Sequence, residues 1–220
     1  MNFKRITLLA GHYGSGKTNI AVNLALDLRS REKNTAVADL DIVNPYFRTL
    51  DSKKTFEEAG IRLIVSQYAN TNLDAPALPQ EMYAVVDDPS LHSIIDVGGD
   101  DRGALALGRL VPRIKEENNY DMFLVVNWYR PLTRDIPSML EVIQEIEYAC
   151  GLPFTGIINN SNLGAETDAQ VVLDSVPFIT RLQEVTGLPL VLTTVEESLY
   201  APLSGKIENL YPMKLQKRPV

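Results

Sequence analysis

The stretch Gly11-His12-Tyr13-Gly14-Ser15-Gly16-Lys17-Thr18 decides how this chain of 220 residues folds. It follows the apolar, partly β-branched run 6–10, which predicts a short buried strand. It precedes residues 19–28, where apolar side chains recur every four positions from Ile20 to Leu28 and predict one face of a helix. The sequence therefore predicts a strand, a glycine-rich loop and a helix in direct succession.

The residue types in this loop suit the binding of phosphate. Glycine permits backbone turns that a Cβ atom would block, so successive N–H groups can point at phosphate oxygens. The helix that follows adds free N–H groups and the positive end of its dipole. In this pattern, the P-loop, the lysine bridges the β- and γ-phosphates and the threonine holds Mg²⁺. We therefore predict a nucleotide site formed by Gly11, Gly14, Ser15, Gly16, Lys17, Thr18 and Asn19, with Lys17 also catalytic.

Composition and charge limit the class of protein. The length predicts a single domain over residues 1–220. The net charge of −7 disfavours sequence-independent binding of nucleic acid, which needs a basic surface. We expect no transmembrane segment, because no apolar run reaches about 18 residues, and no signal peptide, because the first strand begins so early. The lone Cys150 excludes an internal disulfide, which fits a reducing, cytoplasmic location.

Strands and helices alternate along the chain. The fold class that this predicts is α/β: a single P-loop NTPase domain with a mostly parallel sheet and helices on both faces. We expect a kink at Pro112, a break around Pro177 and no clear long element in the tail. The expected strands lie at 6–10, 35–40, 61–65, 91–100, 122–126, 154–159 and 190–194, and the expected helices at 19–28, 51–59, 79–87, 102–117, 134–149 and 167–185.

Acidic residues follow two of the predicted strands. Ligands of such a sheet bind at the carboxyl ends of its strands, where the P-loop also lies. Asp96 ends an apolar strand, the usual place for the carboxylate that orients Mg²⁺ through water. Asp39 and Asp41 follow the second strand, where one would hold magnesium-bound water and the other would position the attacking water. The Gly99 N–H would contact the γ-phosphate, which makes residues 98–103 a candidate switch.

These segments resemble the CobQ/CobB/MinD/ParA branch of P-loop NTPases (SIMIBI class), which includes the MinD/ParA-type ATPases. In that branch the second strand ends Asp-x-Asp, as at residues 39–41, and the resemblance implies a catalytic role for Asp41. Residues 96–99 are similar to its switch II, and Asn159 resembles the position that contacts the base, where asparagine suits adenine. The resemblance implies an ATPase that uses Mg²⁺, has Thr18, Asp39 and Asp96 around the metal, and switches a protein partner or a homodimer.

The sequence also departs from this branch and leaves alternatives open. His12 occupies the position of a second lysine that many members extend to the other subunit's nucleotide; Arg48 or Arg130 would be a substitute cation. A second hypothesis is a small-molecule ligase or kinase with an acceptor pocket from residues 66–80 and 128–134. A third, a GTPase, predicts an Asn-Lys-x-Asp base clamp; residues 159–162 lack its lysine and aspartate, so GTP ranks behind ATP.

Overall fold

The structure, a computed structural model, describes residues 3–40, 53–65, 80–98 and 101–215. Within these ranges there are eight strands, β1 Ile6–Ala10, β2 Thr35–Asp39, β3 Arg62–Val65, β4 His92–Asp96, β5 Tyr120–Val126, β6 Gly156–Asn159, β7 Leu190–Glu196 and β8 Leu210–Met213. The helices are α1 Lys17–Ser30, α2 Lys53–Ala59, α3 Gln80–Asp87, α4 Asp101–Gly108, α5 Val111–Glu117, α6 Ile136–Cys150, α7 Ala169–Thr186 and α8 Glu197–Leu203.

The eight strands form one sheet in the order β3-β2-β4-β1-β5-β6-β7-β8. Every neighbouring pair runs parallel. All carboxyl ends of the strands therefore lie along one edge, and β1 stands between β4 and β5. Because the P-loop follows β1, the residues that end β4 and β5 are its immediate neighbours.

Helices cover both faces of this sheet, as the apolar strands predict. Side chains of β1 alternate between two cores: Leu8 packs in the core beneath α3 to α7, and Leu9 packs in the core beneath α1 and α2. Burial of both faces explains why the strand is apolar throughout. None of the helices in the described ranges is long and apolar enough to cross a membrane. The predicted α/β class with helices on both faces is thus confirmed, and the described sheet is parallel throughout.

Two prolines act differently from the prediction. The expected helix over 102–117 is two helices, and Pro112 lies in the first turn of α5, where its missing N–H costs nothing. The break expected around Pro177 is wrong, because α7 runs through it. Pro177 is exposed, so its ring lies on the solvent face of α7 and does not disturb the core. The packing of α7 on the sheet through Val172 and Ile179 outweighs the local cost.

The tail contains two short elements that periodicity did not predict, α8 and β8. Strand β8 extends the sheet beside β7, although it carries Pro212, which an edge strand tolerates. Its position is secured from a distant helix, because the Asn23 side chain accepts from the Lys214 N–H at 2.9 Å and donates to the Lys214 carbonyl at 3.0 Å. Strand β8 has only four residues and is held in place by α1, so its own sequence does not predict it.

A buried arginine fastens the amino end of the sheet. Arg5 is 6% exposed and pairs with Glu117 at the end of α5. Its guanidinium also donates to the carbonyl group of Val86 in α3, at 2.9 Å, and to that of Asp88 directly after α3, at 3.0 Å. The hydrogen bond from Arg5 lowers the pKa of Glu117 below its usual value. This contact joins three elements on the side of the sheet opposite the P-loop.

Candidate functional site

The loop between β1 and α1 adopts a conformation that requires its glycines. Gly11, Gly14 and Gly16 have φ angles of 145°, 77° and 91°, which side chains rarely permit. A Cβ atom on Gly11 would lie 2.5 Å from the carbonyl oxygen of Val125, and one on Gly16 would lie 2.1 Å from the Asn160 side-chain nitrogen. The backbone is therefore packed tightly against the ends of β5 and β6. The shape fits the phosphate cradle that the spacing predicts.

The polar side chains of the loop are buried within it. Lys17 is 2% exposed, and its Nζ donates to the carbonyls of Gly11 at 2.9 Å and His12 at 3.3 Å. The Ser15 hydroxyl is buried and has no hydrogen-bond partner among the residues that the structure describes. A buried hydroxyl without a partner carries a free-energy cost that an oxygen-rich ligand would remove. The loop thus presents a cation and a hydroxyl donor, which is the chemistry that a polyphosphate requires.

The residues predicted for the metal lie together, with Asp39 and Asp96 at the ends of β2 and β4 and Thr18 in the first turn of α1. The Thr18 hydroxyl donates to Asp96 Oδ2 at 2.6 Å. Asp39 is the register neighbour of Asp96 on the adjacent strand, and both are buried. Mg²⁺ binds through one or two carboxylates, retained waters and substrate phosphates. This pair of carboxylates with a hydroxyl fits that chemistry, although no group of three or more His, Cys, Asp or Glu residues that could hold a metal occurs in the described ranges.

The two asparagines at the end of β6 have different roles. Asn160, which the sequence did not predict as a site residue, donates to the Ser15 carbonyl in the P-loop at 2.6 Å and accepts from the Thr194 hydroxyl of β7 at 2.7 Å. It therefore links β7 to the phosphate loop. The side chain of Asn159 donates to Ser175 of α7 at 2.9 Å, on the other face of the sheet. The predicted base contact by Asn159 stays a prediction, as does the nucleotide contact by Asn19.

Some predicted residues lie outside the described ranges. These are Asp41, Gly99 and Arg48, whose assigned roles stay predictions. Part of the candidate switch over 98–103 is described, because α4 begins at residue 101. A Cβ atom on Gly103 would lie 2.6 Å from the backbone nitrogen of Gly98. The start of α4 is therefore packed directly on the chain that leaves β4.

The site also includes the exposed part of the P-loop around His12 and Tyr13, which Arg130 contacts. His12 Nδ1 lies 3.0 Å from the Tyr13 carbonyl, and the Tyr13 side chain is exposed. Arg130, in the turn after β5, donates from Nε to the Gly14 carbonyl at 3.1 Å. The sequence suggested Arg130 as a substitute cation, and the structure brings it to the loop. Its partner, a backbone carbonyl, has no signature in the sequence.

Comparison with solved structures agrees on the fold. The chain superposes on the cell division protein FtsY of Thermotoga maritima with a TM-score of 0.58 and 17% identity, covering 90% of this chain and 63% of that one. The signal recognition particle receptor FtsY of Elizabethkingia anophelis superposes with a TM-score of 0.51 and 17% identity, covering 88% of this chain and 59% of that one. The signal recognition particle 54 kDa protein of Aeropyrum pernix K1, solved with GDP, superposes with a TM-score of 0.53 and 19% identity, covering 86% of this chain and 41% of that one. The chain thus spans about two fifths to three fifths of these proteins.

Sequence comparison identifies the family. No curated protein matches the chain. A sequence model named CbiA, described as the CobQ/CobB/MinD/ParA nucleotide binding domain, matches residues 6–170. That range begins with β1 and contains the P-loop, the Thr18–Asp96 pair and Asn160. The chain therefore belongs to the CobQ/CobB/MinD/ParA family of nucleotide-binding P-loop domains.

Proposed function

We propose that this chain is a cytoplasmic Mg²⁺-dependent ATPase that uses ATP binding and slow hydrolysis to switch a protein partner. The observation that carries the proposal is the 2.6 Å hydrogen bond from Thr18 to Asp96 beside the buried Lys17. It joins the hydroxyl that follows the P-loop lysine to the carboxylate that ends β4. This arrangement is the one that a magnesium nucleotide needs, because the metal must meet both a loop hydroxyl and an acid.

Different residues of the chain would bind the phosphates, hold the metal and position water. Lys17 exchanges its two loop carbonyls for phosphate oxygens, and the cradle N–H groups hold the remaining charge. Thr18, Asp39 and Asp96 would hold the metal, which supplies charge neutralisation at the phosphates. Asp41, assigned from the sequence, would position water. Loss of the γ-phosphate would free the segment packed on Gly103 and change the surface that a partner meets.

The polar groups after β6 support ATP over GTP. Guanine presents two neighbouring N–H donors, which GTPases meet with an aspartate carboxylate. Residues 159–164 carry no carboxylate. The side-chain amide of Asn160 is bonded to Ser15 and Thr194, and that of Asn162 donates to the Asn160 carbonyl at 2.7 Å, so no side chain in this stretch replaces the missing carboxylate. The fold neighbours solved with GDP make direct competition between ATP and GTP a necessary part of the test.

Ligation or phosphorylation of a small acceptor is less well supported. The acceptor pocket proposed from the sequence used residues 66–80 and 128–134, and 66–79 lie outside the described ranges. In the second stretch, Trp128 donates to the Arg134 carbonyl at 3.0 Å and stacks on Phe178. Tyr129 donates its hydroxyl to Val171 at 2.7 Å, and burial raises its pKa. Both aromatic side chains are half-buried and bonded to neighbouring elements, which favours a packing role over contact with an acceptor.

The proposal is tested by calorimetric titration with Mg-ATP and Mg-GTP, together with phosphate release. We expect tighter binding of ATP, slow release, and acceleration by a protein partner. Lys17→Ala should abolish hydrolysis, whereas Lys54→Ala, at an exposed position on α2, should not change it. Asp41→Ala should bind ATP without turnover. Tighter binding of GTP, hydrolysis by Lys17→Ala, or turnover that needs a small acceptor would refute the proposal.

A further inference from the structure

Arg130 lies across the middle of the phosphate loop. Its Nε donates to the Gly14 carbonyl at 3.1 Å. A Cβ atom on Gly14 would lie 3.3, 3.4 and 3.6 Å from Nε, Cζ and Nη2 of Arg130, three nearly equal distances. The guanidinium group therefore covers the Gly14 α-carbon instead of touching it with one atom. Among the residues that the structure describes, the two terminal nitrogens of Arg130 have no hydrogen-bond acceptor or carboxylate partner.

The turn that carries Arg130 is held firmly. The Arg130 N–H donates to the Asn127 carbonyl at 3.1 Å, and the Thr133 N–H donates to the Arg130 carbonyl at 3.0 Å. The Thr133 hydroxyl also donates to the Asn127 carbonyl, at 2.6 Å. Asn127 is fully buried and accepts from the N–H groups of Tyr129 and Asn162. A side chain anchored on such a turn is pre-organised, so it loses little entropy when a ligand packs on it.

The order of the strands separates Arg130 from the metal residues. Asp96 ends β4, on one side of β1, and Arg130 follows β5, on the other. The Thr18–Asp96 pair fixes the side of the loop on which magnesium and the terminal phosphate would lie. A nucleotide that crosses the loop must then extend its nucleoside toward β5 and β6. Arg130 is an exposed cation on that nucleoside side.

We propose that Arg130 packs its guanidinium plane against the nucleoside part of the bound nucleotide while its Nε holds the Gly14 peptide in place. This inference rests on the proposed nucleotide site. A guanidinium is planar and weakly hydrated, so it stacks flat on aromatic rings, a geometry that an ammonium group does not have. The terminal nitrogens would stay available for oxygen atoms of the sugar. Arg130 then contributes to affinity for the nucleoside rather than to the neutralisation of the phosphates.

The experiment compares three ligands by calorimetry: Mg-ATP, Mg-ADP and inorganic tripolyphosphate with Mg²⁺. The proteins are the unaltered chain, Arg130→Gln, Arg130→Lys and the control Arg134→Gln, at an exposed arginine of the same turn. We expect Arg130→Gln to weaken ATP and ADP by the same factor, about tenfold, and to leave tripolyphosphate unchanged. Arg130→Lys should lose as much, since it restores the charge without the plane. Arg134→Gln should bind all three ligands like the unaltered chain.

Several results would overturn this assignment. Weakened tripolyphosphate binding, a loss larger for ATP than for ADP, or full recovery in Arg130→Lys would show that Arg130 serves as a charge for phosphate. Unchanged ATP binding by Arg130→Gln would remove Arg130 from the site and leave the proposed function standing. Failure of the unaltered chain to bind either nucleoside phosphate would instead refute the proposed function, and this inference with it. The glutamine Nε2 is the same number of bonds from the backbone as the arginine Nε, so Arg130→Gln can still donate to the Gly14 carbonyl, and its loss of affinity reports the missing guanidinium plane.

Discussion

Substitution of Asn160 by alanine tests whether the phosphate loop is held by β6. Asn160 is 6% exposed, and its side chain makes two short hydrogen bonds, to Ser15 at 2.6 Å and from Thr194 at 2.7 Å. Its backbone bonds to Val126 and Asn162 remain in the variant. Each lost bond costs about 1 kcal/mol, and the Ser15 carbonyl left without its donor adds a further cost, so we expect a loss of about 2–3 kcal/mol in the free energy of unfolding.

The same substitution should weaken nucleotide binding, because the Ser15 peptide must then be ordered by the ligand. Fixing one residue's backbone costs about 1–2 kcal/mol, which corresponds to about tenfold in affinity. Urea denaturation measures the first effect and titration with a fluorescent ATP analogue the second. Thr194→Val, which removes one of the two bonds, should lose about half as much stability. Asn162→Ala, in the same loop but without a side-chain contact to the P-loop, should leave affinity unchanged.

The refuting result is clear for each measurement. An Asn160→Ala variant within about 0.5 kcal/mol of the unaltered chain would show that the two bonds contribute nothing net. A normal affinity in a destabilised variant would show that the P-loop keeps its shape without Asn160. Equal losses of affinity in Asn160→Ala and Asn162→Ala would assign the effect to the loop as a whole.

Three further predictions concern the frame around the site. Because the hydrogen bond from Arg5 lowers the pKa of Glu117, its stabilisation should be full above the ordinary value of 4.5 and vanish as pH falls through the lowered pKa; the gap between the unaltered chain and Glu117→Gln in urea denaturation should close in acid. A gap that widens in acid would contradict this. Gly103→Ala should lower the free energy of unfolding by about 1–3 kcal/mol, because the added Cβ would lie 2.6 Å from the backbone nitrogen of Gly98. Gly108→Ala should not destabilise the helix, because its Cβ would lie 4.0 Å from the nearest atom, the Ala149 carbonyl oxygen. Equal shifts of the melting temperature in the two variants would refute the difference. Burial raises the pKa of Tyr211 to about 12, so ultraviolet titration should show at least one tyrosine that ionises well above pH 10, and Tyr211→Phe should remove that step. The stabilisation that depends on neutral Tyr211 is full below pH 10 and is lost as pH rises through 12. Ionisation of every tyrosine near pH 10 would count against this burial.

Local chemistry predicted much of the fold. The apolar strands and the alternation with helices indicated a covered parallel sheet, and the glycines of the loop have the positive φ angles that the motif requires. Two outcomes escaped prediction for physical reasons. Helix α7 continues through Pro177, because packing on the sheet outweighs the local cost of a proline on the solvent face of the helix. Strand β8 has four residues and a proline, and its place comes from β7 and from Asn23 on α1.

The sequence by itself determined the phosphate loop, the acids at strand ends and therefore the class of ligand, because these features depend on residues close together in the chain. The tertiary structure decided which distant side chains complete the loop. Thr18 meets Asp96 because β4 lies beside β1, and Arg130 and Asn160 reach the loop's outward carbonyls because β5 and β6 lie on the other side. A backbone carbonyl is the same group in every residue, so no sequence pattern marks which carbonyl an asparagine or arginine will bind. Only the packing of the strands brings those partners together.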